Sequence, residues 1–464
     1  MGAMLITFLG GYLGDVHACG WHYETIKAEA RSLPCTRNVA LNAYPRYQET
    51  HLRHKVQAGL IMSALLPSSL RALDELAVSW ILLRDLPRAR CVLERRQDLA
   101  PTAYATHANW GTYFTFSGEL KRAEHHVQEI LKADPDAHFG RERDHLTLIR
   151  YLIKYQAEGQ FKVDMYGRSF KAQLKTVYPV NKESKQTLRE QEAALVSMIS
   201  IYGATDNPLL FATLGVTLKQ QGNVLLAAAA LQRAIRLRHP QRRLMKRWIS
   251  KAHRRYERRY NDRVRRGAIR RNRGVFAELK TAIGKAQTAA SYRVTKYHRW
   301  LTKRFREGMK FWDTSGLEEI YQEQTKRKLR CALPDAQPIQ HQNPSYPSHD
   351  RALRQHHAKL TQLLADVQAQ KTPEGECARL GAALNQSALS EITTKVVAGA
   401  GASDTREALP NKIKTPLIQT PPQLDREHQD RVNTLNALIN IALKCPRLEV
   451  KPINLPCLEA RATP

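Results

Sequence analysis

Apolar and small residues recur with a period of 34 positions in three windows of the chain, which begin near Arg71, Ala105 and Leu209. Within each window, apolar side chains return every three or four residues, which is the spacing of an amphipathic helix. The first two windows follow each other without a gap. Each window therefore predicts a pair of antiparallel helices, and the period predicts that neighbouring pairs stack on one another.

Small residues occur in the windows at the point where the two helices of a pair are predicted to cross. Gly111 and Gly215 would face Ala123 and Ala227, because two helix backbones approach closely only where neither carries a bulky side chain. A random amphipathic helix has an apolar stripe but lacks small residues at fixed offsets. The windows therefore predict repeated copies of one structural unit.

Turn and stop signals stand at matching offsets. Gly118 is expected to end a first helix, and Pro101 and Pro135 are expected to stop second helices. The whole pattern resembles the tetratricopeptide repeat (TPR) family, whose members are usually non-enzymatic scaffolds that bind other proteins. The first copy departs from the family pattern, since Arg84 replaces the turn glycine and Arg96 stands at a normally small position, and we expect it to be an atypical end repeat.

The predicted fold is all-α: a TPR-like α-solenoid of helical hairpins, then long basic helices, then a largely disordered C-terminal tail. Further amphipathic helices are predicted from residue 141 and at 191–201, giving four or five hairpins, and the tail is expected to contain helices at 351–369 and 425–444. The predicted domains are a short apolar segment at 1–18, an N-terminal extension at 19–54, the solenoid at 55–240, a basic helical extension at 241–330, and a linker-rich, mostly disordered tail at 331–464.

The resemblance also implies a binding site. Family members line their concave surface with the first helix of each repeat, and carrying those offsets onto this chain gives Asp74, Val78, Ile81, Ala108, Thr112, Thr115, Ala212, Val216 and Lys219. The Lys and Asn set that clamps a C-terminal carboxylate in chaperone-binding members is missing here. Because the implied lining is mostly small and apolar, the expected guest is an apolar helix or an extended peptide.

Charge adds a second candidate activity. The 464 residues carry a net charge of +30, and the segment 241–330 holds about 28 Lys/Arg against about 8 Asp/Glu. Residues 242–264 place apolar side chains at helical spacing with cations on the other faces. Two interpretations stay open: a capping helix with a solvated charged face, or a polyanion-binding surface that also uses a basic, aromatic helix at 275–311. The candidate polyanion-binding residues are Arg243, Arg247, Lys251, Arg254, Arg255, Arg258, Arg259, Arg265, Arg266, Arg270, Arg271, Arg273, Lys303 and Arg304.

Localisation decides which polyanion is the candidate. The apolar residues of 1–18 fit either an export signal cleaved before Cys19 or a short buried N-terminal segment. A cytoplasmic chain would meet nucleic acid, which Arg and Lys grip through phosphates. An exported or membrane-associated chain would instead meet anionic lipid head groups or envelope polymers.

The expected state of the cysteines also depends on localisation. If the chain is exported, Cys19 and Cys35 are a disulfide candidate, and otherwise all seven cysteines are thiols. Cys91, on a repeat helix, is expected to be a small core residue.

Catalytic motifs are missing from the sequence: it contains no phosphate-binding GxxxxGK[ST] loop, no GxSxG nucleophile turn, no HExxH zinc motif and no CxxC pair. The adjacent His125 and His126 point about 100° apart on a helix, so exposure is expected rather than a shared metal. We expect no enzyme activity, cofactor or small-molecule substrate. The leading hypothesis is a protein or peptide-binding scaffold whose cationic segment contacts an anionic partner; the alternative makes polyanion binding the main activity.

Overall fold

The computed structural model describes residues 32–44, 49–138, 140–158, 161–177, 185–200, 203–266, 288–289, 292–300, 303, 323, 326, 330–332, 347–370, 372–385 and 426–445. These residues are helical except for loops and two three-residue strands. The first elements are β1 (Ser32–Pro34), α1 (Thr36–Ala40), α2 (Glu49–Leu65), α3 (Leu70–Leu82), α4 (Leu86–Leu99), α5 (Tyr104–Ser117), α6 (Leu120–Ala133) and α7 (Arg141–Glu158). They are followed by α8 (Phe170–Lys175), α9 (Lys185–Ser200), α10 (Pro208–Gln220), α11 (Val224–Arg236), α12 (Arg242–Arg265), β2 (Arg330–Ala332), α13 (Pro347–Gln368), α14 (Pro373–Asn385) and α15 (Arg426–Lys444).

The three 34-residue windows fold as helical pairs, and the predicted all-α fold is confirmed. Helices α3 and α4, α5 and α6, and α10 and α11 pack as hairpins, and neighbouring helices stack as they do in a solenoid. Helix α4 ends at Leu99 and α6 at Ala133, just before Pro101 and Pro135. These prolines therefore stop the second helices as expected, because proline cannot continue the backbone hydrogen-bond ladder.

Close helix crossings occur at the two predicted glycines. A Cβ added at Gly215 would lie 2.6 Å from Leu231 Cγ and 3.3 Å from the Ala227 carbonyl oxygen. A Cβ at Gly111 would lie 3.1 Å from Val127 Cγ2. Real Cβ atoms do not approach other atoms to 2.6 Å, so α10 and α11 pack at this distance only because residue 215 has no side chain.

The first hairpin keeps the turn of the others although it lacks the turn glycine. Gly118 and Gly222 have φ angles of 82° and 84°, and Arg84, at the equivalent position, has a φ of 66°. The left-handed backbone costs a residue with a side chain about 1–2 kcal/mol. Asp85 then caps α4 by accepting a hydrogen bond from the Arg88 backbone N–H at 3.3 Å. The atypical first repeat therefore differs in sequence more than in backbone shape.

The two ends of the helical array meet across its interior. Beside Gly203, which precedes α10, a Cβ would lie only 3.2 Å from Cδ2 of Leu82 at the end of α3. Residues 32–44, from the predicted N-terminal extension, pack against α9, α10 and α11, where Val39 and Tyr44 are buried. One hydrophobic core includes residues from Leu33 to Ala252. The array therefore has a filled interior in place of an open concave channel.

The C-terminal region contains more packed structure than the sequence predicted. Helices α13 and α15 match the predicted 351–369 and 425–444, whereas α14 was not predicted. The three helices share a second hydrophobic core with α2, in which Ile61, Met62, Leu438 and Ile439 are buried. One or two helices were expected in this tail, and its described part contains three. Isolated amphipathic stretches gave no sign of this core, because its other half is supplied by α2.

Two covalent or hydrogen-bonded links join distant parts of the chain. A disulfide connects Cys377 on α14 with Cys445 just after α15, across 68 positions. Strand β1 pairs antiparallel with β2, with Leu33 opposite Cys331. The all-α expectation did not include this strand pair. A flexible linker was expected at 334–349, but 347–349 begin α13, and 334–346 lie outside the described residues, as does the apolar segment 1–18.

Candidate functional site

The nine side chains of the implied concave lining are buried. None of them is more than 3% exposed, and Asp74, Ile81, Ala212, Val216 and Lys219 are at 0%. In this structure the lining is part of the protein core and presents no surface to a partner. The physical reason is that neighbouring helices and the segments 32–44 and 161–176 pack against the repeat helices.

Asp74 lies in a buried polar cluster that joins the first two repeats. Its Oδ1 accepts hydrogen bonds from Arg96 Nε at 3.0 Å and from Asn109 Nδ2 at 2.8 Å. Arg96 Nη1 also donates to Thr106 Oγ1 at 2.7 Å. Burial raises the pKa of Asp74 to about 6 although Arg96 acts in the opposite direction. Arg96, which looked anomalous in the sequence, is the buried counter-ion of Asp74.

Thr115 lies beside a second buried cluster, at the junction of α5 with α7. Its hydroxyl donates to the Gly111 carbonyl at 2.7 Å and lies 3.3 Å from His145 Nε2. Glu142 lies between two imidazoles, 2.9 Å from His138 Nδ1 and 3.0 Å from His145 Nδ1. Burial alone would raise the pKa of Glu142, but the two histidine contacts outweigh it and lower that pKa to about 2.

The outer face of α10 is covered by the chain's own segment 161–176. Arg168 Nη2 donates to Thr217 Oγ1 at 2.8 Å, Arg168 also bonds Gln220, and the Met165 backbone N–H donates to Thr213 Oγ1 at 3.5 Å. Asp164 holds Arg168 through a 2.7 Å ion pair. Phe161 and Phe170 of the segment are buried too.

Lys219, the cation at the end of the implied lining, is buried on the same helix. Burial lowers the pKa of Lys219 to about 8. Sequence reasoning missed the covering segment because residues 161–176 lie outside the 34-residue pattern. The single available signal was its length, which exceeds that of a simple connection between helices.

An exposed row of cations runs along α12, and we name it the cation stripe: Arg243, Arg247, Lys251, Arg254 and Arg258. At 100° per residue these five side chains fall within an arc of about 80°, and at 1.5 Å per residue they extend over about 22 Å. All five are exposed, and within the described part of the chain none forms an ion pair. The stripe is therefore a continuous surface of one charge sign.

The opposite face of α12 anchors it to the repeats. Met245, Trp248 and Ala252 are at most 2% exposed, and Trp248 Nε1 donates to the Thr176 carbonyl at 3.3 Å. This agrees with the predicted apolar stripe of a capping helix. The anchoring also removes Trp248 from any role as an interfacial membrane anchor, because that role requires an accessible ring.

The other candidate polyanion-binding residues differ from one another in exposure and in their ion pairs. Arg255 is half-buried, Arg265 is exposed and pairs with Asp262 at 2.6 Å, and Arg266 and Lys303 are exposed. The side chain of Arg259 and the whole of Arg270, Arg271, Arg273 and Arg304 lie outside the described residues. Of the predicted basic helix at 275–311, the structure describes 288–289, 292–300 and 303, and these residues are helical.

Cysteine chemistry differs from the simplest expectation. Besides Cys377 and Cys445, both Cys35 and Cys91 are disulfide-bonded, so Cys91 is buried but is not a free core thiol. Cys19, the expected partner of Cys35, lies outside the described residues.

Neither a metal centre nor a membrane span stands out. In the described ranges there is no group of three or more His, Cys, Asp or Glu side chains arranged to hold a metal ion. His125 is exposed as expected, whereas His126 is half-buried, with its Nδ1 3.1 Å from Nδ1 of His107. None of the described helices is long and apolar enough to cross a membrane.

No protein-family model matches the chain, and no curated protein matches it.

Proposed function

We propose that this chain is a non-enzymatic binding protein in which a TPR-like helical array presents helix α12 to a linear polyanion. The observation that carries the proposal is the cation stripe, whose five exposed side chains share one face of an anchored helix. Neighbouring like charges three or four positions apart on a helix are unfavourable by about 0.2–0.5 kcal/mol each. An anionic ligand would relieve that repulsion, and among the described residues none of the five cations forms an ion pair.

The disulfides support a particular setting for this binding. Four cysteines, Cys35, Cys91, Cys377 and Cys445, are disulfide-bonded, and disulfides persist in oxidising compartments. The proposal therefore places the protein outside the reducing cytoplasm, where the anionic ligands are envelope polymers and lipid head groups. Because Trp248 is buried, this ring is not available to lipid as an apolar anchor, and we favour a polymer over a membrane surface.

Charge reversal on the stripe tests the proposal. Binding of fluorescein-labelled linear polyphosphate to the full-length protein would be measured by anisotropy at low and high salt, for the unchanged chain and for Arg247→Glu/Lys251→Glu/Arg254→Glu. Each cation near an anionic surface contributes about 1 kcal/mol, so we expect the triple variant to bind at least about tenfold more weakly. Affinity of the unchanged protein should fall steeply with salt.

A matched control separates a site from net charge. Lys121→Glu/Lys132→Glu/Lys185→Glu changes the net charge by the same amount at three exposed lysines of α6 and α9, whereas the helices that pack on α12 are α8 and α11. We expect it to bind polyphosphate within about twofold of the unchanged protein, because distant exposed charges are screened. Equal losses in the two triple variants would refute a localised site. Circular dichroism melts of both variants would show that the fold is retained.

A second candidate function is protein binding by the helical array, as the family resemblance implies. The observation that favours it is segment 161–176, an extended stretch followed by a short helix, which lies along α10 at Thr213, Thr217 and Gln220. In this proposal, an extended partner peptide takes the same position along α10. Thr213→Tyr would discriminate: a partner peptide that competes for this face loses affinity, whereas polyphosphate binding at the stripe stays unchanged.

A further inference from the structure

The helical stretch 292–300 carries an exposed aromatic ring on a cationic face. Tyr292 is 58% exposed, although large aromatic side chains in folded proteins are mostly buried. Lys296 Nζ lies 4.7 Å from the centroid of the Tyr292 ring, and Arg299 is exposed as well. At 100° per residue, Tyr292, Lys296 and Arg299 fall within an arc of about 60°, so they share one face of the helix.

The opposite face of this stretch is buried. Tyr297 is 5% exposed and His298 is 8% exposed, and the Trp300 ring stacks on Tyr297 with centroids 5.9 Å apart. The stretch therefore buries two of its rings and leaves Tyr292 in solvent. The exposed ring and the cations beside it together offer a flat apolar surface and positive charge.

We infer that this face binds an acidic polysaccharide. The apolar C–H faces of sugar rings pack on an aromatic ring, and their carboxylate or sulfate groups pair with Lys296 and Arg299. A polymer without rings, such as polyphosphate, uses the cations but gains nothing from Tyr292. The disulfides favour a sugar polymer over single-stranded nucleic acid, whose bases would stack on the same ring. The inference rests on the proposed function, because it names the chemical class of the polyanion.

This inference is tested by comparing the binding of two labelled polymers to variants of Tyr292. Binding of labelled polygalacturonate and of labelled polyphosphate to the full-length protein would be compared for the unchanged chain, Tyr292→Ala and the conservative Tyr292→Phe. We expect Tyr292→Ala to weaken polygalacturonate binding about tenfold, in the range measured for aromatic stacking in other complexes, and to leave polyphosphate binding within about twofold. Tyr292→Phe should retain the affinity of the unchanged protein for both probes, since it keeps the ring.

The outcomes separate this inference from the proposed function. If Tyr292→Ala weakens both probes equally, or neither, the sugar-stacking role is overturned while the stripe remains supported by its own triple variant. If single-stranded DNA binds more tightly than polygalacturonate and loses the same factor with Tyr292→Ala, the ring serves nucleobases and the inference is again overturned. If Arg247→Glu/Lys251→Glu/Arg254→Glu binds both probes as tightly as the unchanged protein does, the proposed function is contradicted instead.

Discussion

Charged residues are used in opposite ways in the repeat interior and on helix α12. Inside the repeats, each of four buried acidic side chains has a basic partner: Asp74 with Arg96, Glu75 with Lys55, Glu142 with His138 and His145, and Asp164 with Arg168. On α12 the five cations of the stripe are exposed and lack such partners within the described chain. Desolvation explains the first arrangement, since an unpaired buried charge is very unfavourable. Water makes the second tolerable and leaves its charges available to a ligand.

This comparison teaches where a binding site is to be sought in the molecule. Asp74 and Thr115 belong to the implied concave lining, yet in the structure they contact side chains of neighbouring helices. The cation stripe resembles an ordinary solvated helix face in sequence, yet it is the surface whose charges the protein itself does not neutralise. Three predictions, each with its own variants, test this difference between buried and exposed charges.

The largest expected effect comes from breaking a buried pair. Asp74→Ala leaves the Arg96 guanidinium buried at 1% exposure without its carboxylate, and we expect the free energy of unfolding to fall by about 3–5 kcal/mol. Urea denaturation followed by circular dichroism would measure it. The matched control is Glu94→Ala, which removes an exposed partner from Arg90 and should cost less than about 1 kcal/mol.

A second arm of this experiment tests the reason for the loss. Adding Arg96→Met to Asp74→Ala removes the stranded cation, and we expect it to recover part of the lost stability. If Asp74→Ala and Glu94→Ala cost the same, the distinction between buried and exposed pairs fails for this protein.

An intermediate effect should appear as a pH dependence at Glu142. Its pKa in the folded chain is lowered to about 2, so its stabilising contribution is complete above its ordinary pKa near 4.5 and is lost as pH falls towards 2. Glu142→Gln should therefore lower the free energy of unfolding by about 2–3 kcal/mol at pH 7, and by much less near pH 2. Urea melts of both proteins across this pH window would measure the difference. A constant difference at every pH would contradict the role of the carboxylate charge.

The smallest expected effect has the opposite sign and lies on α12. Arg247→Gln removes a charge with like neighbours four residues away on each side, Arg243 and Lys251, so stability should rise by about 0.5 kcal/mol at low salt. Arg90→Gln, which loses its Glu94 partner at i+4, should instead lower stability by a similar amount. Thermal melts at low and high salt would measure both, and salt should reduce both effects. Loss of stability in both variants would show that the stripe is not self-repulsive.

Much of the fold could be read from local patterns. The helical pairs, the glycine crossings at Gly111 and Gly215 and the helix ends before Pro101 and Pro135 each depend on residues that interact within one hairpin. The apolar face of α12 could be predicted in the same way, because Met245, Trp248 and Ala252 recur at helical spacing. The candidate stripe followed from the same spacing.

Other features depend on contacts between residues far apart in the chain. The partner of Arg96, the covering of α10 by segment 161–176 and the pairing of Cys377 with Cys445 join positions 22 to 68 residues apart, and no periodicity encodes such pairings. The small core between α2 and the C-terminal helices belongs to the same group.

The sequence by itself determined the helices, their hairpin pairing and the excess of positive charge, since helix periodicity and close crossings are local properties of the chain. Tertiary structure decided which charges are satisfied internally and which remain on the surface. It also decided that the implied lining became core, because segments outside the 34-residue pattern pack against the repeat helices. The physical reason is that burial and desolvation depend on every element packed around a group, and a short stretch of sequence contains only one of those elements.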